Sequence, residues 1–430
     1  MPDTPFEFSQ IFAEEMDISD PLVGFRDKFH LPTLKGKECL YLCGNSLGLQ
    51  PKTVSSYVAA ELEAWAQKGV RGHFEGENPW VFARKPAKPA LSMLLGANPD
   101  EVTPMNNLSS NLHLLMVSFY RPKPGKYKIL TEAGAFPSDQ YILASQAKFH
   151  GFDPAEALIE LHPRKGEHVL RTEDILNKIE MHSHELALVM MAGVQYYTGQ
   201  WFDLEQISAC ARAKEIPVGF DLAHAIGNVP LELHKWNVDF ATWCSYKYLN
   251  AGPGNVSGIF VHERHGHDFQ GPRFTGWWGH DEDRRFLMEG TFKAMPGADG
   301  WLLSNDHVLG LAALQASLDI FQEAGMNRLR SKSELLTGYL EFLIQKISKD
   351  QSTLQVITPS KPTERGAQLS LFIHQGGKKV FDQWTEQGVV ADWRNPNVIR
   401  IAPCPLYNNF TDIYKFGKIL ENSFRKFVEK

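Results

Sequence analysis

The first regular pattern along the chain is a helical repeat of apolar residues. Within residues 50–69, apolar side chains recur three or four positions apart, which predicts an amphipathic helix with one apolar face. Pro51 near the start of this segment and Gly69 at its end are typical of helix boundaries. The apolar face consists of Val54, Val58, Leu62 and Trp65.

Beyond residue 122 the pattern changes to short apolar runs that alternate with amphipathic stretches. The runs predicted as strands are 127–130, 186–191, 218–220, 240–244 and 258–261. Two segments between them, 138–149 and 203–214, are predicted helices that begin at Ser or Asp caps. Because buried parallel strands are continuously apolar and are joined by helices, this order predicts an α/β fold with a mainly parallel, doubly wound sheet.

From about residue 305 the chain becomes largely helical. Long periodic segments at 306–323 and 326–347 precede a strand-like run at 368–373, a helix at 378–387, a second run at 398–402 and a helix from residue 411. These elements predict a smaller α+β domain. We therefore expect an N-terminal arm and helix (1–70), a large domain (71–304) and a small C-terminal domain (305–430).

Composition narrows the class of protein. The 430 residues are 43% hydrophobic and 22% charged, with a net charge of −6, and no long basic run points to nucleic-acid binding. No apolar stretch approaches the roughly 20 residues that cross a bilayer, and the acidic N-terminus does not resemble a signal peptide. The five cysteines form no CxxC pair or zinc pattern. We expect a cytoplasmic protein with reduced thiols and no metal site.

Lys247 stands between two tyrosines, after an apolar run and just before a glycine-rich turn. A lysine amine in a packed site can act as a nucleophile and form a Schiff base with a carbonyl compound, for example pyridoxal phosphate. The alternative is a surface lysine whose methylene stem covers the core.

Further chemical groups follow other predicted strands, where ligands of open α/β sheets bind. Asp221 and His224 follow the run 218–220, and Asp221 either pairs with a protonated heterocyclic nitrogen or caps a helix. Phe136 precedes a predicted helix and could stack on an aromatic ring. The stretch 106–113 supplies amides and hydroxyls at a predicted helix N-terminus, which suits a phosphate.

Several longer motifs are similar to those of the kynureninases, which are pyridoxal-phosphate enzymes of fold type I. The matching motifs are GNSLGLQP (44–51), FPSD (136–139), YYTGQ (196–200), GFDLAHAIGN (219–228), WCSYKYLNAGPG (243–254), GWWGH (276–280) and RNPNVIRIAPCPLYN (394–408). They cover the chain from about residue 20 onward. The resemblance implies a large domain with a seven-stranded, mainly parallel sheet and hydrolysis of L-kynurenine or 3-hydroxy-L-kynurenine to an anthranilate and L-alanine, in tryptophan catabolism and NAD biosynthesis.

The resemblance also implies roles for individual residues. Lys247 would hold the cofactor covalently, Asp221 would bind its ring nitrogen, and Arg400 would bind the substrate α-carboxylate, although Arg400 could instead lie on a solvated edge strand. Tyr197 would donate a proton, unless it is a core tyrosine with a satisfied hydroxyl. The residues expected around the cofactor are Leu108, Ser109, Phe136, Pro137, Ser138, Asp139, Ala192, Asp221, His224, Tyr246, Lys247, Trp277 and Asn305.

A homodimer is implied as well, because Trp277 and Asn305 reach the other subunit's site in this family. His73, Ser304 and Asn305 would line the pocket for the substrate's aryl ring, and this polar set resembles the type that prefers 3-hydroxykynurenine. Ala192 departs from the family pattern, which usually has Ser or Thr there, so that one hydroxyl near the cofactor would be missing.

Two other functions and one metal site agree less well with the residues. A cysteine desulfurase needs a nucleophilic cysteine on a loop after the lysine, and no cysteine occurs between Cys244 and Cys404. A catalytically silent binding protein would need neither Lys247 nor Asp221. His262, His265 and His267 are close in sequence, but no carboxylate or cysteine completes a zinc spacing, so a solvated loop is expected.

Overall fold

A computed structural model describes residues 5–266, 269–348 and 353–428. Its helices are α1 (Gln10–Ser19), α2 (Val54–Lys68), α3 (Lys88–Leu95), α4 (Leu108–Phe119), α5 (Pro137–Phe149), α6 (Pro154–Ala157), α7 (Thr172–Met181), α8 (Leu204–Ala213), α9 (Glu263–Gly266), α10 (Val308–Ala324), α11 (Met326–Ile347), α12 (Gly377–Glu386) and α13 (Phe410–Val428).

The strands of the described residues include every predicted run. They are β1 (Thr33–Leu34), β2 (Lys37–Glu38), β3 (Leu40–Tyr41), β4 (Val102–Pro104), β5 (Lys128–Glu132), β6 (Leu158–Leu161), β7 (Leu186–Ala192), β8 (Val218–Asp221), β9 (Phe240–Trp243), β10 (Gly258–Val261), β11 (Leu354–Val356), β12 (Leu369–Ile373), β13 (Val389–Val390), β14 (Asp392–Arg394) and β15 (Val398–Ile401). The predicted helices are confirmed too, with ends shifted by up to four residues.

Seven strands form the large sheet in the order β4-β10-β9-β8-β7-β5-β6. Every neighbouring pair is parallel except those of β10, which runs antiparallel to both β9 and β4. The predicted α/β fold with a mainly parallel sheet is therefore confirmed. The sequence pattern missed the two edge strands, β4 and β6, because these short segments, VTP and LIEL, include Thr, Pro or Glu and do not form continuous apolar runs.

Both faces of the large sheet are buried. Along β7, Val189 and Met191 belong to the core on one face, whereas Leu188 and Met190 belong to the core on the other. Successive side chains of a strand point to opposite faces, so a strand covered on both sides is apolar at every position. This is why 186–191 is a continuous apolar run.

The small sheet, in the order β11-β12-β15-β14, is antiparallel and has a core of its own. Leu371 and Ile399 face each other in that core, whereas the next pair, Ser370 and Arg400, points the other way. The period of two thus places Arg400 on the opposite face of the sheet from this core. The division of the chain into domains at residues 70 and 305 stays a proposal.

The apolar face predicted for α2 is largely uncovered. Tyr57 donates a hydrogen bond to Asp319 of α10, so one side of α2 packs on that helix. Leu62 and Trp65 point elsewhere and are 45% and 62% exposed. Large apolar side chains at this level of exposure in consecutive turns are unusual for a surface that faces only water.

Candidate active site

A cavity of about 150 Å³ lies at the carboxyl ends of the parallel strands. The last residues of β5, β7 and β8 form its floor, and the first turns of α4 and α5 close its sides. Its lining consists of Leu108, Ser109, Glu132, Phe136, Ser138, Asp139, Ala192, Val194, Tyr196, Asp221, Ala223, His224, Tyr246 and Lys247.

The structure brings many of the expected cofactor residues to this one cavity. The expected residues found there are Leu108, Ser109, Phe136, Ser138, Asp139, Ala192, Asp221, His224, Tyr246 and Lys247. Those that do not line it are Pro137, which is the first residue of α5, and His73, Tyr197, Trp277, Ser304, Asn305 and Arg400.

Lys247 is held in a tight turn that follows β9. The amide of Ala251 donates to the carbonyl of Ser245 (3.1 Å), and the amide of Asn250 donates to the carbonyl of Lys247 itself (3.0 Å). The Ser245 hydroxyl anchors the turn by donating to the carbonyl of Val256. The turn leaves the Lys247 side chain half-buried, with Nζ 5.7 Å from the centre of the Phe136 ring.

Three buried carboxyl groups meet below Lys247. Burial raises the pKa of Glu132 to about 7, while the amide of Ala192 donates to this carboxyl group at 3.3 Å. Burial raises the pKa of Asp221, and the nearby charge of Lys247 opposes that rise. Burial and the Asp221 charge raise the pKa of Asp139 well above its usual range, so the proton of this hydrogen-bonded pair sits on Asp139 and Asp221 is the ionised partner.

His224 faces the cavity without a hydrogen bond to its ring. Nδ1 is buried and has no partner among the described residues. Burial, followed by the positive charge of Lys247, lowers the pKa of His224 well below its usual range, so the ring is neutral. A buried polar atom without a partner is costly, and it marks a place where a ligand can supply the missing contact.

The N-terminus of α4 provides an anion site at the cavity wall. The Asn107 side chain caps the helix by accepting from the amide of Ser110 (3.0 Å). The amides of Leu108 and Ser109 belong to the first turn, whose N–H groups have no partner within a helix. Free N–H groups and the helix dipole favour a phosphate. The amine, the ionised carboxylate, the Phe136 ring and this anion site together fit pyridoxal phosphate.

Arg400 lies just behind the cavity, where it is 1% exposed. Its Nε donates to the Asp392 carboxylate at 3.0 Å, and its terminal nitrogen donates to the carbonyl of Tyr196 at 2.8 Å. Arg394 shares the same carboxylate at 2.7 Å. The Tyr196 ring in turn meets the Phe136 ring edge to face, with centres 5.1 Å apart. Tyr196 therefore contacts both Arg400 and the cavity lining.

The segment containing Tyr196 and Tyr197 is bound to the small sheet. Gln368 donates to the carbonyl of Tyr196 (2.9 Å), and the Ser370 hydroxyl donates to the carbonyl of Tyr197 (2.6 Å). The Tyr197 hydroxyl points away from the cavity lining and donates to the carbonyl of Asn395 at 3.3 Å. Of the two adjacent tyrosines, Tyr196 is the one in the cavity wall.

The residues expected in the aryl pocket lie on the surface of this chain. Ser304 and Asn305 are exposed, and His73 packs edge to face on Trp80. Trp277 is 45% exposed and meets Phe286, which in turn meets Phe74. We call the exposed aromatic residues Phe74, Trp277 and Phe286 the aromatic patch.

Sequence reasoning missed Glu132 and Tyr196. Glu132 lies two residues after the predicted strand 127–130 and ends the observed β5, so the rule that ligands bind at the carboxyl ends of strands could have found it. Tyr196 is the first residue of the motif YYTGQ and immediately precedes Tyr197, the expected proton donor.

Within the described ranges, no helix is both long and apolar enough to cross a membrane. A family profile described as "Kynureninase C-terminal domain" matches residues 329–420. The kynureninase of Myxococcus xanthus is 54% identical over 98% of this chain and 99% of its own length. The kynureninase of Flavobacterium johnsoniae is 51% identical over 97% and 98%, and that of Nematostella vectensis is 47% identical over 97% and 94%.

Solved structures similar to this chain include more distant enzymes. The apo cysteine desulfurase of Thermococcus onnurineus has a TM-score of 0.74 at 15% identity and covers 99% of this chain and 100% of its own. The cystine C–S lyase C-DES, in complex with cysteine persulfide, has a TM-score of 0.75 at 17% identity, covering 91% and 99%. At such identities the likeness shows a shared fold, that of fold-type I enzymes, and does not support the desulfurase alternative. The full-length relatives at about half identity show that this chain belongs to the kynureninase family.

Proposed function

We propose that this chain hydrolyses the Cβ–Cγ bond of L-kynurenine or 3-hydroxy-L-kynurenine and releases an anthranilate and L-alanine. The observation that carries the proposal is the meeting of Lys247, Asp221 and the α4 N-terminus at one cavity in a member of this family. Pyridoxal phosphate, when bound, supplies an electron sink for the electron pair left on a substrate carbon. Binding, orientation and proton transfer fall to side chains of this chain.

Lys247 is the proposed covalent anchor and proton carrier. Its Nζ stands over the Phe136 ring, so an aromatic cofactor stacked on Phe136 would lie within reach of the amine. With its amine free, Lys247 would be placed to take the proton from the substrate α-carbon at Nζ and to return it at another atom. The half-buried position keeps this amine close to its target and away from bulk water.

Asp221 is the proposed partner of the cofactor's ring nitrogen. The amide of Ala223 donates to Asp221 Oδ1 at 2.7 Å, which fixes one oxygen of the carboxylate. Asp139 forms a hydrogen bond with the Asp221 carboxylate. An ionised carboxylate at this position would hold the cofactor's ring nitrogen in its protonated form.

Arg400 is the proposed site for the substrate α-carboxylate. A guanidinium group can bind a carboxylate with two parallel hydrogen bonds. Asp392 and the carbonyl of Tyr196 already occupy part of its donor fork, and they orient the rest.

A proton must also reach the β-carbon when the Cβ–Cγ bond breaks. By resemblance we assign this donor role to Tyr197, whose hydroxyl now donates to the carbonyl of Asn395. Burial raises the pKa of Tyr197, which keeps the phenol in its protonated form at neutral pH. A protonated phenol suits a general acid.

The active form is proposed to be a homodimer in which each subunit completes the site of the other. The support is twofold: Trp277 and Asn305 lie on the surface rather than at the cavity, and the aromatic patch is exposed. The patch resembles the exposed apolar surfaces that mark subunit contacts. We further propose a cytoplasmic enzyme of tryptophan catabolism and NAD biosynthesis.

We propose that 3-hydroxykynurenine is the better substrate. His73 and Asn305 carry groups that can hydrogen-bond a ring hydroxyl, and a site built for a hydroxyl loses free energy when the hydroxyl is missing. The ratio of kcat/KM for the two substrates should shift toward kynurenine in His73→Trp and in Asn305→Thr. A wild type that strongly favours kynurenine, together with an unchanged ratio in both variants, would show that the pocket assignment is wrong.

The reaction itself is tested with the purified protein loaded with pyridoxal phosphate. The holoenzyme should absorb visible light, lose that absorbance on treatment with borohydride, and form equal amounts of alanine and an anthranilate from either substrate. Lys247→Ala is the matched control and should form neither product. A colourless protein would favour the silent binding protein, and product formation at the same rate by Lys247→Ala would refute the proposed mechanism.

A further inference from the structure

Two histidines and a glutamate form a cluster at the amino ends of β4 and β9, whereas Lys247 follows the carboxyl end of β9. Glu101 immediately precedes β4, His234 lies between β8 and β9, and His262 immediately follows β10. Because β10 runs antiparallel to β4 and β9, its carboxyl end meets the amino ends of those strands. The topology thus joins three residues that are up to 161 positions apart, and one ligand atom from each lies within 4.8 Å of the others.

We propose that Glu101, His234 and His262 bind one zinc ion. Glu101 Oε1 is 2.9 Å from His234 Nδ1 and 3.6 Å from His262 Nδ1. Two ligand atoms that are each about 2.0–2.1 Å from a tetrahedral zinc ion stand about 3.3–3.4 Å apart. The two observed separations lie on either side of this value, so side-chain shifts of a few tenths of an ångström would bring the atoms to one ion.

The orientation of His262 supports the proposal independently. Its Nε2 lies 3.3 Å from the carbonyl oxygen of His234, so the ring proton sits on Nε2. The lone pair of Nδ1 accepts a hydrogen bond from the amide of Arg264 at 3.2 Å, and a zinc ion bound at Nδ1 would replace that hydrogen bond. Histidines that bind metals usually donate their other N–H to a carbonyl or carboxylate in this way.

Glu101 is held as a metal-binding carboxylate would be. It is fully buried, and the amides of Asn98 and Glu263 each donate to it at 2.8 Å. In this structure His234 Nδ1 lies at hydrogen-bond distance (2.9 Å) from Glu101 Oε1. A zinc ion bound to both atoms would replace that hydrogen bond.

The ligand set favours zinc over the common hard cations. Two imidazoles and one carboxylate suit zinc, whereas calcium and magnesium prefer oxygen ligands alone. The His234 side chain is 38% exposed, which leaves a path from solvent. Water could complete the coordination.

This site corrects the expectation of a solvated histidine loop. His262 is 5% exposed, and its neighbour His265 is paired with Asp239 at 2.7 Å rather than with His262. His267 lies outside the described residues. The zinc ligands come from distant segments of the chain, which is why the local histidine spacing did not reveal them.

The test is a titration of the chelator-treated holoenzyme with zinc chloride by calorimetry. We expect one zinc ion per chain and a higher Tm when zinc is bound. His234→Ala and Glu101→Gln should each weaken zinc binding by at least about tenfold. His184→Ala, which removes an exposed histidine elsewhere, is the control and should leave affinity unchanged.

Turnover should be unaltered by His234→Ala, because the cluster and Lys247 lie at opposite ends of β9. X-ray absorption should show nitrogen and oxygen ligands, and sulfur ligation would overturn the proposal because it would assign the zinc to cysteine. Absence of saturable binding, or equal affinity in the wild type and His234→Ala, would overturn it as well. His234 is partly exposed, so its substitution decides the question even if Glu101→Gln fails to fold.

Discussion

Gly48 lies directly against the turn that carries Lys247. The Gly48 amide donates to the carbonyl of Tyr246 at 2.8 Å. A Cβ atom placed on Gly48 would stand only 2.4 Å from the carbonyl oxygen of Lys247 and 2.2 Å from Oδ1 of Asn250. Only glycine fits this contact, so the segment 44–51 belongs structurally to the lysine turn although it lies about 200 residues away.

We therefore predict that Gly48→Ala displaces the Lys247 turn. Overpacking of this kind usually costs about 1–3 kcal/mol of unfolding free energy. The variant should also retain pyridoxal phosphate less well, as measured by the cofactor absorbance after dialysis. Gly24→Ala is the matched control, because no atom lies within 4 Å of a Cβ at that position. Equal stability and cofactor retention in the two variants would contradict the prediction.

Asp392 should act as a positioning residue for Arg400. In Asp392→Asn, the guanidinium of Arg400 loses its charged partner, and we expect KM to rise about tenfold or more, or roughly 1.4 kcal/mol, with a smaller change in kcat. Steady-state kinetics measure both constants. Asp382→Asn, which breaks an exposed pair with Lys378, should change neither. A fall in kcat at constant KM would argue against this role.

Glu132 should make stability depend on pH in an unusual direction. Its pKa rises from 4.5 in the unfolded chain to about 7, so the folded protein keeps a proton that the unfolded chain has lost between these values. The free energy of unfolding should thus fall as pH rises from about 4.5 to 7, by up to about 3 kcal/mol, and then level off.

Glu132→Gln removes this titration while still accepting from the amide of Ala192. Urea unfolding of the wild type and the variant at pH 5 and pH 8 should show a smaller loss of stability in the variant at the higher pH. Because all other groups titrate in both proteins, the difference between them isolates Glu132. An identical loss in both would show that Glu132 is ionised throughout.

The aromatic patch should be the surface that joins two subunits. Phe74→Glu places a charge where we expect a buried contact, and should lower the dimer fraction in analytical ultracentrifugation. Phe149→Glu, at an exposed phenylalanine of α5, is the control and should remain dimeric. If the wild-type protein is monomeric at micromolar concentration, the proposed dimer is wrong.

If Asn305 completes the partner's site, two defective chains should rescue each other. Neither Lys247→Ala nor Asn305→Ala alone should reach normal turnover. In a mixed dimer, one of the two sites carries neither substitution. Co-expression should therefore yield mixed dimers with about half the activity of the wild-type dimer. Activity no greater than that of Asn305→Ala alone would place Asn305 and Lys247 in the same site.

Periodicity in the sequence predicted the strands, and the ends of those strands located Asp221 and Lys247 in the candidate site. Asp221 and Lys247 both come after strands, and because β8 and β9 are adjacent and parallel, the two residues meet as expected. The sequence could not decide between Tyr196 and Tyr197, since a loop has no period that tells which side chain turns inward. Nor could it join Glu101 to His262, because that contact depends on the antiparallel placement of β10.

The hydrogen bonds around Tyr196 also have a mechanical consequence. Arg400 of β15 and Gln368, which precedes β12, both donate to its carbonyl group, while its ring contacts Phe136 in the cavity wall. A displacement of Arg400 toward a bound carboxylate would therefore move Tyr196 and alter its contact with Phe136. Tyr196 thus couples occupation of the carboxylate site to the position where the cofactor ring would stack.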